Sequence, residues 1–124
     1  MAKKPKKYNA DTFAKGAMRR ASLMWPPISE CRRLARRERG KYECAMCKEL
    51  FSAKECQVDH RNPVVDIIKG WESWDVFIAR LFCDVENLDL LCTNCHNSKS
   101  AMEVQMRKYA REKRKAEGED NEEE

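Results

Sequence analysis

The stretch Leu88-Asp89-Leu90-Leu91-Cys92-Thr93-Asn94-Cys95-His96 decides how the chain is read. Leu88 to Cys92 has the short apolar run of a strand, and Cys92-x-x-Cys95 then opens a helical pattern through Met102, Met106 and Tyr109. A second pair, Cys44 and Cys47, is separated from Cys92 by 44 residues. The two-residue gap lets both sulfurs of one turn reach one metal at about 2.3 Å, so the two pairs predict a closed four-thiolate zinc site. A redox-active pair is the alternative, but the βαβ setting that such a pair needs is missing from the pattern.

Between the pairs stand Val58-Asp59-His60 and Glu86-Asn87, and His96 follows the last cysteine directly. His96 is a fifth candidate zinc ligand, although four thiolates already satisfy one zinc. Glu55 to His60 reads as a short strand ending in the acid–histidine pair. A carboxylate and an imidazole, completed by water, can hold a divalent cation. An imidazole left free beside them has a suitable pKa to take a proton from water. Asp59, His60 and His96 are therefore the candidate chemistry of the chain.

Working outward, the chain has 124 residues, of which 37% are charged and 42% apolar. This predicts one domain with tails and a small core that needs a metal staple. Seven cysteines, an odd number that includes two Cys-x-x-Cys pairs, suit an intracellular zinc site with Cys31, Cys56 and Cys83 left as free thiols. The opening Met1 to Lys7 segment is basic with no apolar stretch behind it, so no signal peptide is expected. No apolar run is long enough to span a membrane. Residues 1–116 hold 25 basic and 15 acidic side chains, a local charge of +10, while residues 117–124 hold 6 acids and no base. A basic body with an acidic tail points to a nucleic-acid partner.

Four segments are expected: a disordered basic arm (1–10), a basic helical extension (11–40), a zinc-clasped domain (41–116) and a disordered acidic tail (117–124). In the extension, Asp11 is the expected cap of a helix from Thr12 to Met24, with Phe13, Ala17, Ala21 and Met24 on its apolar face. Pro26-Pro27 stops it. Ser29 is the expected cap of a second helix to Arg39, which Gly40 ends. Its arginines Arg32, Arg33, Arg36, Arg37 and Arg39 are candidates for phosphate contact, because a guanidinium donates in a fixed fork. Val64 to Ile68 is apolar and ambiguous. An amphipathic helix follows Gly70, with Trp71, Trp74, Ile78 and Leu81 on one face and Phe77 and Phe82 beside it, read as core.

Taken together, Cys44-x-x-Cys47, Val58-Asp59-His60-x-x-Pro63 and Asn87-x-Asp89-x-Leu91-Cys92-x-x-Cys95-His96-x-x-Lys99 resemble the HNH endonuclease family, in its four-cysteine branch. Trp74-Asp75, Arg80-Leu81-Phe82, Glu103 and Arg107 are similar to small phage and prophage members. The resemblance covers about residues 40–107. It implies a small α+β fold with a ββα-metal core, stapled by structural zinc on Cys44, Cys47, Cys92 and Cys95. It implies that Asp59 and His96 ligate a catalytic divalent cation, that His60 activates water, and that Asn87 aims His60. Arg61 and Lys99 are further candidates for phosphate contact. Where some relatives carry one more histidine a helical turn on, this chain has Ser100, so a cation held by two side chains and water is expected, Mg²⁺ or Mn²⁺. The implied substrate is DNA, with no membrane and no small-molecule substrate, in the cytoplasm of a bacterial host if the protein is phage-encoded. The alternative is a non-catalytic zinc-stapled module that binds DNA through its arginines.

Overall fold

In the computed structural model, residues 4–118 are described. Ala10–Ser22 forms α1, Pro26–Ala35 forms α2, and three short strands follow, β1 (Arg36–Glu38), β2 (Lys41–Glu43) and β3 (Leu50–Phe51). Then come β4 (Cys56–His60), α3 (Trp74–Leu81), β5 (Leu88–Cys92) and α4 (Thr93–Ala116). The chain is a small α+β protein whose strands form two antiparallel sheets, β1-β2-β3 and β4-β5. No helix among the described residues is long and apolar enough to cross a membrane.

The β4–β5 ladder is the centre. It pairs Cys56 with Cys92, Val58 with Leu90, Asp59 with Asp89 and His60 with Leu88. Side chains alternate across a strand, so Leu88 and Leu90 enter one core with Cys56, Cys31 of α2 and Cys83, whereas Leu91 faces away into another with Cys44, which Cys92 joins where the strand ends. Both strands match the sequence expectation closely, β4 to within one residue at its start and β5 at both ends. Cys31, Cys56 and Cys83 are buried thiols of the first core. Burial pushes the Cys31 thiol up to about 11, which keeps it unreactive at neutral pH.

The N-terminal elements depart from expectation. α1 begins at Ala10, and its cap is Asn9, whose side chain accepts the Thr12 N–H, not Asp11. Phe13 and Met24, expected to face the core, are 75% and 81% exposed. Met18 packs inward instead, against Val64, Phe77 and Leu81, while Lys15 lies 3.9 Å over the Trp71 ring. α2 starts at Pro26 with both prolines in its first turn, where a missing N–H leaves no bond unmade. It ends at Ala35 rather than Arg39. Arg36 instead pairs with Tyr42 in the β1–β2 ladder, and Gly40, at φ 73°, makes the turn between those strands. The five arginines therefore do not share one helix. Residues 4–9 have no helix or strand, and most of the expected acidic tail, 119–124, lies outside the described residues.

α3 starts late, capped by Ser73, whose hydroxyl accepts the Val76 N–H. Phe77 and Leu81 are its buried residues; Ile78, placed in the core by the sequence pattern, is 41% exposed. Trp71, Trp74 and Phe77 meet with ring centroids 5.1–5.8 Å apart, and Phe82 stands edge-on to Trp25. Trp25 also donates its indole N–H to the Cys83 carbonyl at 2.7 Å, tying the entry of α2 to the exit of α3. The ambiguous segment Val64–Ile68 is a loop. Asp66 accepts the N–H groups of Ile68 and Lys69, and Arg107 of α4 holds the carbonyls of Val65 and Asp66. Phe77→Ala should destabilise the fold by about 3–5 kcal/mol, the usual cost of emptying a buried aromatic site. Ile78→Ala should cost about 1 kcal/mol or less. Urea denaturation of the two variants, side by side, checks the assignment.

Candidate metal centre and catalytic site

Cys44 and Cys47 stand on the turn after β2. Cys92 ends β5 and caps α4, its sulfur accepting the Cys95 N–H at 3.4 Å. The four sulfurs all lie within 4.8 Å of one another. Four thiolates around one zinc at about 2.3 Å would stand about 3.8 Å apart, and the Cys47 and Cys92 sulfurs are 3.9 Å apart. The donor set thus fits a metal such as zinc, and Cys31, Cys56 and Cys83 are not part of it. Burial resists ionisation of Cys44, but hydrogen bonds from the backbone at Cys92, Cys47 and Met46 outweigh it and hold the thiol down to about 6. Its Cys92 neighbour keeps the Cys95 thiol protonated, pushed up to about 12.

Asp59 and His60 close β4, and the pleat sends them to different neighbours. Asp59 turns toward α4. Its Oδ1 accepts the His60 N–H at 2.9 Å, and its Oδ2 accepts Lys99 Nζ at 2.8 Å. The same Oδ2 is 4.0 Å from Nδ1 of His96, in the first turn of α4. His96 Nδ1 is buried and has no hydrogen-bond partner. A buried polar atom without a partner is a defect that a ligand would repair. Two donors each about 2.1 Å from one cation are at most about 4.2 Å apart, so the Asp59–His96 pair fits a shared divalent ion.

His60 turns toward the end of α3, where Nε2 is 3.0 Å from the Leu81 carbonyl. A carbonyl oxygen only accepts, so Nε2 carries the proton and, in the neutral ring, Nδ1 keeps the lone pair. This partner is absent from the sequence reading. The sequence pattern marks α3 only as core, and nothing in the residue type of Leu81 marks its backbone oxygen. Asn87 sits in the 3-10 turn before β5, and its contact with the His60 segment runs through the backbone, the Asn87 carbonyl accepting the Arg61 N–H at 2.7 Å. The Asn87 residue also lines a cleft of about 240 Å³ with Asn62, Pro63 and Arg80.

The candidate phosphate-binding side chains have intramolecular partners. Arg61 pairs with Asp89 at 2.8 Å, Arg33 with Glu30 and Arg37 with Glu43 at 2.9 Å. Arg32 donates to the Cys56 carbonyl at 3.2 Å. Arg36 is exposed on β1. Lys99 is turned inward onto Asp59, with its side chain 21% exposed.

Metal loading should release protons, because the metal takes thiolates. Cys95 should surrender a proton at any pH below about 12, Cys47, whose thiol is also raised, should surrender another at neutral pH, and Cys44 should add a further one as pH falls below about 6. Zinc affinity should therefore weaken as pH falls, with the proton count per zinc rising between pH 7.5 and pH 5.5. Calorimetric zinc titrations of the metal-stripped chain in two buffers of different ionisation enthalpy measure both. Cys92→Ser should lose the metal and unfold, whereas Cys31→Ser should keep it.

No family model matches the chain, and no solved structure matches it. A curated protein of Lactococcus phage SK1, named "Probable HNH endonuclease", is 38% identical over 65 residues. The match takes in 52% of this chain and 61% of that relative's length. The resemblance carried by the cysteine, histidine and asparagine motifs is thus met by a curated relative so named, and the four cysteines that belong to it are positioned for a metal site.

Proposed function

We propose that the protein is a metal-dependent endonuclease that hydrolyses DNA phosphodiester bonds, with β4, β5 and the first turns of α4 serving as a ββα-metal core. The observation that carries this reading is the unpartnered, buried His96 Nδ1 facing Asp59 Oδ2 at 4.0 Å, one residue from a second histidine. The named relative supports the same reading independently.

Each side chain has a separate task. Asp59 and His96 would hold the cation, Mg²⁺ or Mn²⁺, since one carboxylate, one imidazole and water suit a hard divalent ion. Such an ion supplies positive charge against the charge that builds on the phosphodiester during displacement. His60 is the general base and takes the proton of the attacking water at Nδ1, the atom left basic by the Leu81 hydrogen bond. Asn87 supports His60 through its backbone contact with Arg61. The four cysteines hold zinc, which pins the turn after β2 to the start of α4 and so fixes the helix that presents His96. Zinc with four thiolates has no open position, so it does no chemistry.

DNA would lie along the basic surface. Arg33 and Arg36 are exposed, and so is Glu30, the partner of Arg33, whereas Glu43 and Asp89 are half-buried. Exposed ion pairs contribute about 0–1 kcal/mol, so a phosphate can replace Glu30 with little loss, while Arg37 and Arg61 are held more firmly by their half-buried carboxylates. Arg32 is the weaker candidate because it caps a backbone carbonyl.

Nicking of supercoiled plasmid in Mn²⁺ tests the assignment. His60→Ala should keep the fold, the zinc and DNA binding, while cleavage falls by about 10²–10⁴. His96→Ala and Asp59→Ala should be partly restored by excess Mn²⁺, and Asn87→Ala, which keeps the backbone carbonyl that accepts the Arg61 N–H, should stay near parental activity. Parental activity in His60→Ala would reject the mechanism and favour a non-catalytic DNA-binding module. A separate measurement concerns affinity. Each phosphate contact contributes about 0.9 to the slope of log affinity against log salt, so replacing Arg33, Arg36 and Arg37 together with alanine should flatten that slope.

A further inference from the structure

Lys99 stands on α4 three residues after His96, on the same face of the helix. Its ammonium donates to Asp59 Oδ2 at 2.8 Å and to the His60 carbonyl at 2.7 Å. Glu103, one further turn along, has Oε2 3.8 Å from the same nitrogen. Asp59 Oδ1 is already committed to the His60 N–H. Oδ2 is therefore the oxygen that a cation shared with His96 would use, and Lys99 holds it. An ammonium and a divalent ion about 4 Å apart or closer repel strongly in a half-buried site, so the two cannot keep full contact with one carboxylate oxygen.

We propose that Lys99 is a resident counter-ion of Asp59, which the divalent cation displaces, and that Glu103 receives the displaced ammonium. This rests on the reading of Asp59 and His96 as the cation site. Lys99 neutralises a carboxylate that is only 22% exposed and holds the end of β4 against α4. With the cation bound, the lysine stem would pivot by rotamer change along its own helix. Glu103 is 26% exposed and spaced one turn away, the geometry in which a helix pairs a lysine with a glutamate. The device sets how much cation the site needs. It also assigns Lys99 a task different from phosphate contact, since its donors point into the protein.

The test is Mn²⁺ titration of the zinc-loaded full chain by calorimetry, without DNA. Lys99→Met removes a charge-assisted hydrogen bond that competes with the cation, and such bonds are strong enough to tighten Mn²⁺ binding about ten- to hundredfold when lost. Lys99→Gln, which removes the charge but keeps a donor for the His60 carbonyl, should tighten it in the same direction and covers the case that the methionine variant does not fold. Glu103→Gln should weaken Mn²⁺ binding in the parent but leave it unchanged in the Lys99→Met background, because it acts through the lysine. Equal or weaker binding in both folded Lys99 variants overturns the proposal. So does an equal loss from Glu103→Gln in both backgrounds, which would be ordinary charge attraction. His96→Ala separates the two levels. Its loss of the Mn²⁺ site, with tightening in the lysine variants, supports both. Mn²⁺ binding that survives His96→Ala, or that occurs in no variant, overturns the cation-site reading and this proposal together.

Discussion

Cys92 is the residue through which three parts of the structure are joined. Its backbone ends the β4–β5 ladder opposite Cys56, and its sulfur caps the first turn of α4. The same sulfur stands among Cys44, Cys47 and Cys95. The turn after β2 is fully buried at Cys44 and is tied to β5 by the Ala45 N–H on the Leu90 carbonyl. Around so small a core, a metal on these sulfurs would join segments more than a third of the chain apart, and its metal–thiolate bonds would offset the entropy cost of closing that loop. The direction of α4, and with it the position of His96 and Lys99, depends on this junction.

The neighbourhood of β4 is an exercise in balanced charge. Asp59 and Asp89 face each other across the ladder, a placement that is unfavourable for two like charges. Each has its own cation, Lys99 for Asp59 and Arg61 for Asp89. His96 Nδ1 is left without a partner beside this arrangement. Each carboxylate is thus balanced by a cation, while the buried Nδ1 of His96 has no hydrogen-bond partner.

The segment between β4 and β5 serves the site as well as the core. α3 buries Phe77 and Leu81, and its last turn offers the Leu81 carbonyl to His60. Helix ends have carbonyls without intrahelical partners, so the end of α3 is a natural acceptor. The loop before it is held from α4 by Arg107 and Arg114 on the carbonyls of Val65, Asp66 and Ile68. Part of the basic charge of α4 is thus structural and is not free surface.

Reading the residues in order was enough for the parts whose pattern is local. The two cysteine pairs, the strands β4 and β5 and the helix that opens between Cys92 and Cys95 follow from spacing and short-range periodicity, because a metal knuckle and a half-buried strand each impose a pattern on neighbouring residues; the grouping of Asp59 with His96 comes from the family resemblance. Non-local packing decided the rest. Phe13 and Met24 share a helical face with the right period, but the face of α1 that packs inward was chosen by Met18 against Phe77 and by Lys15 over Trp71. Arg36 to Glu38 left the helix because β2 offered backbone partners, and no helix propensity of Arg37 or Arg39 records that offer. The Leu81 carbonyl on His60 and the Lys99 ammonium on Asp59 join residues 21 and 40 positions apart. One uses a backbone atom that every residue has, and the other a lysine that a linear reading assigns to the surface, so only the folded chain could show what either one touches.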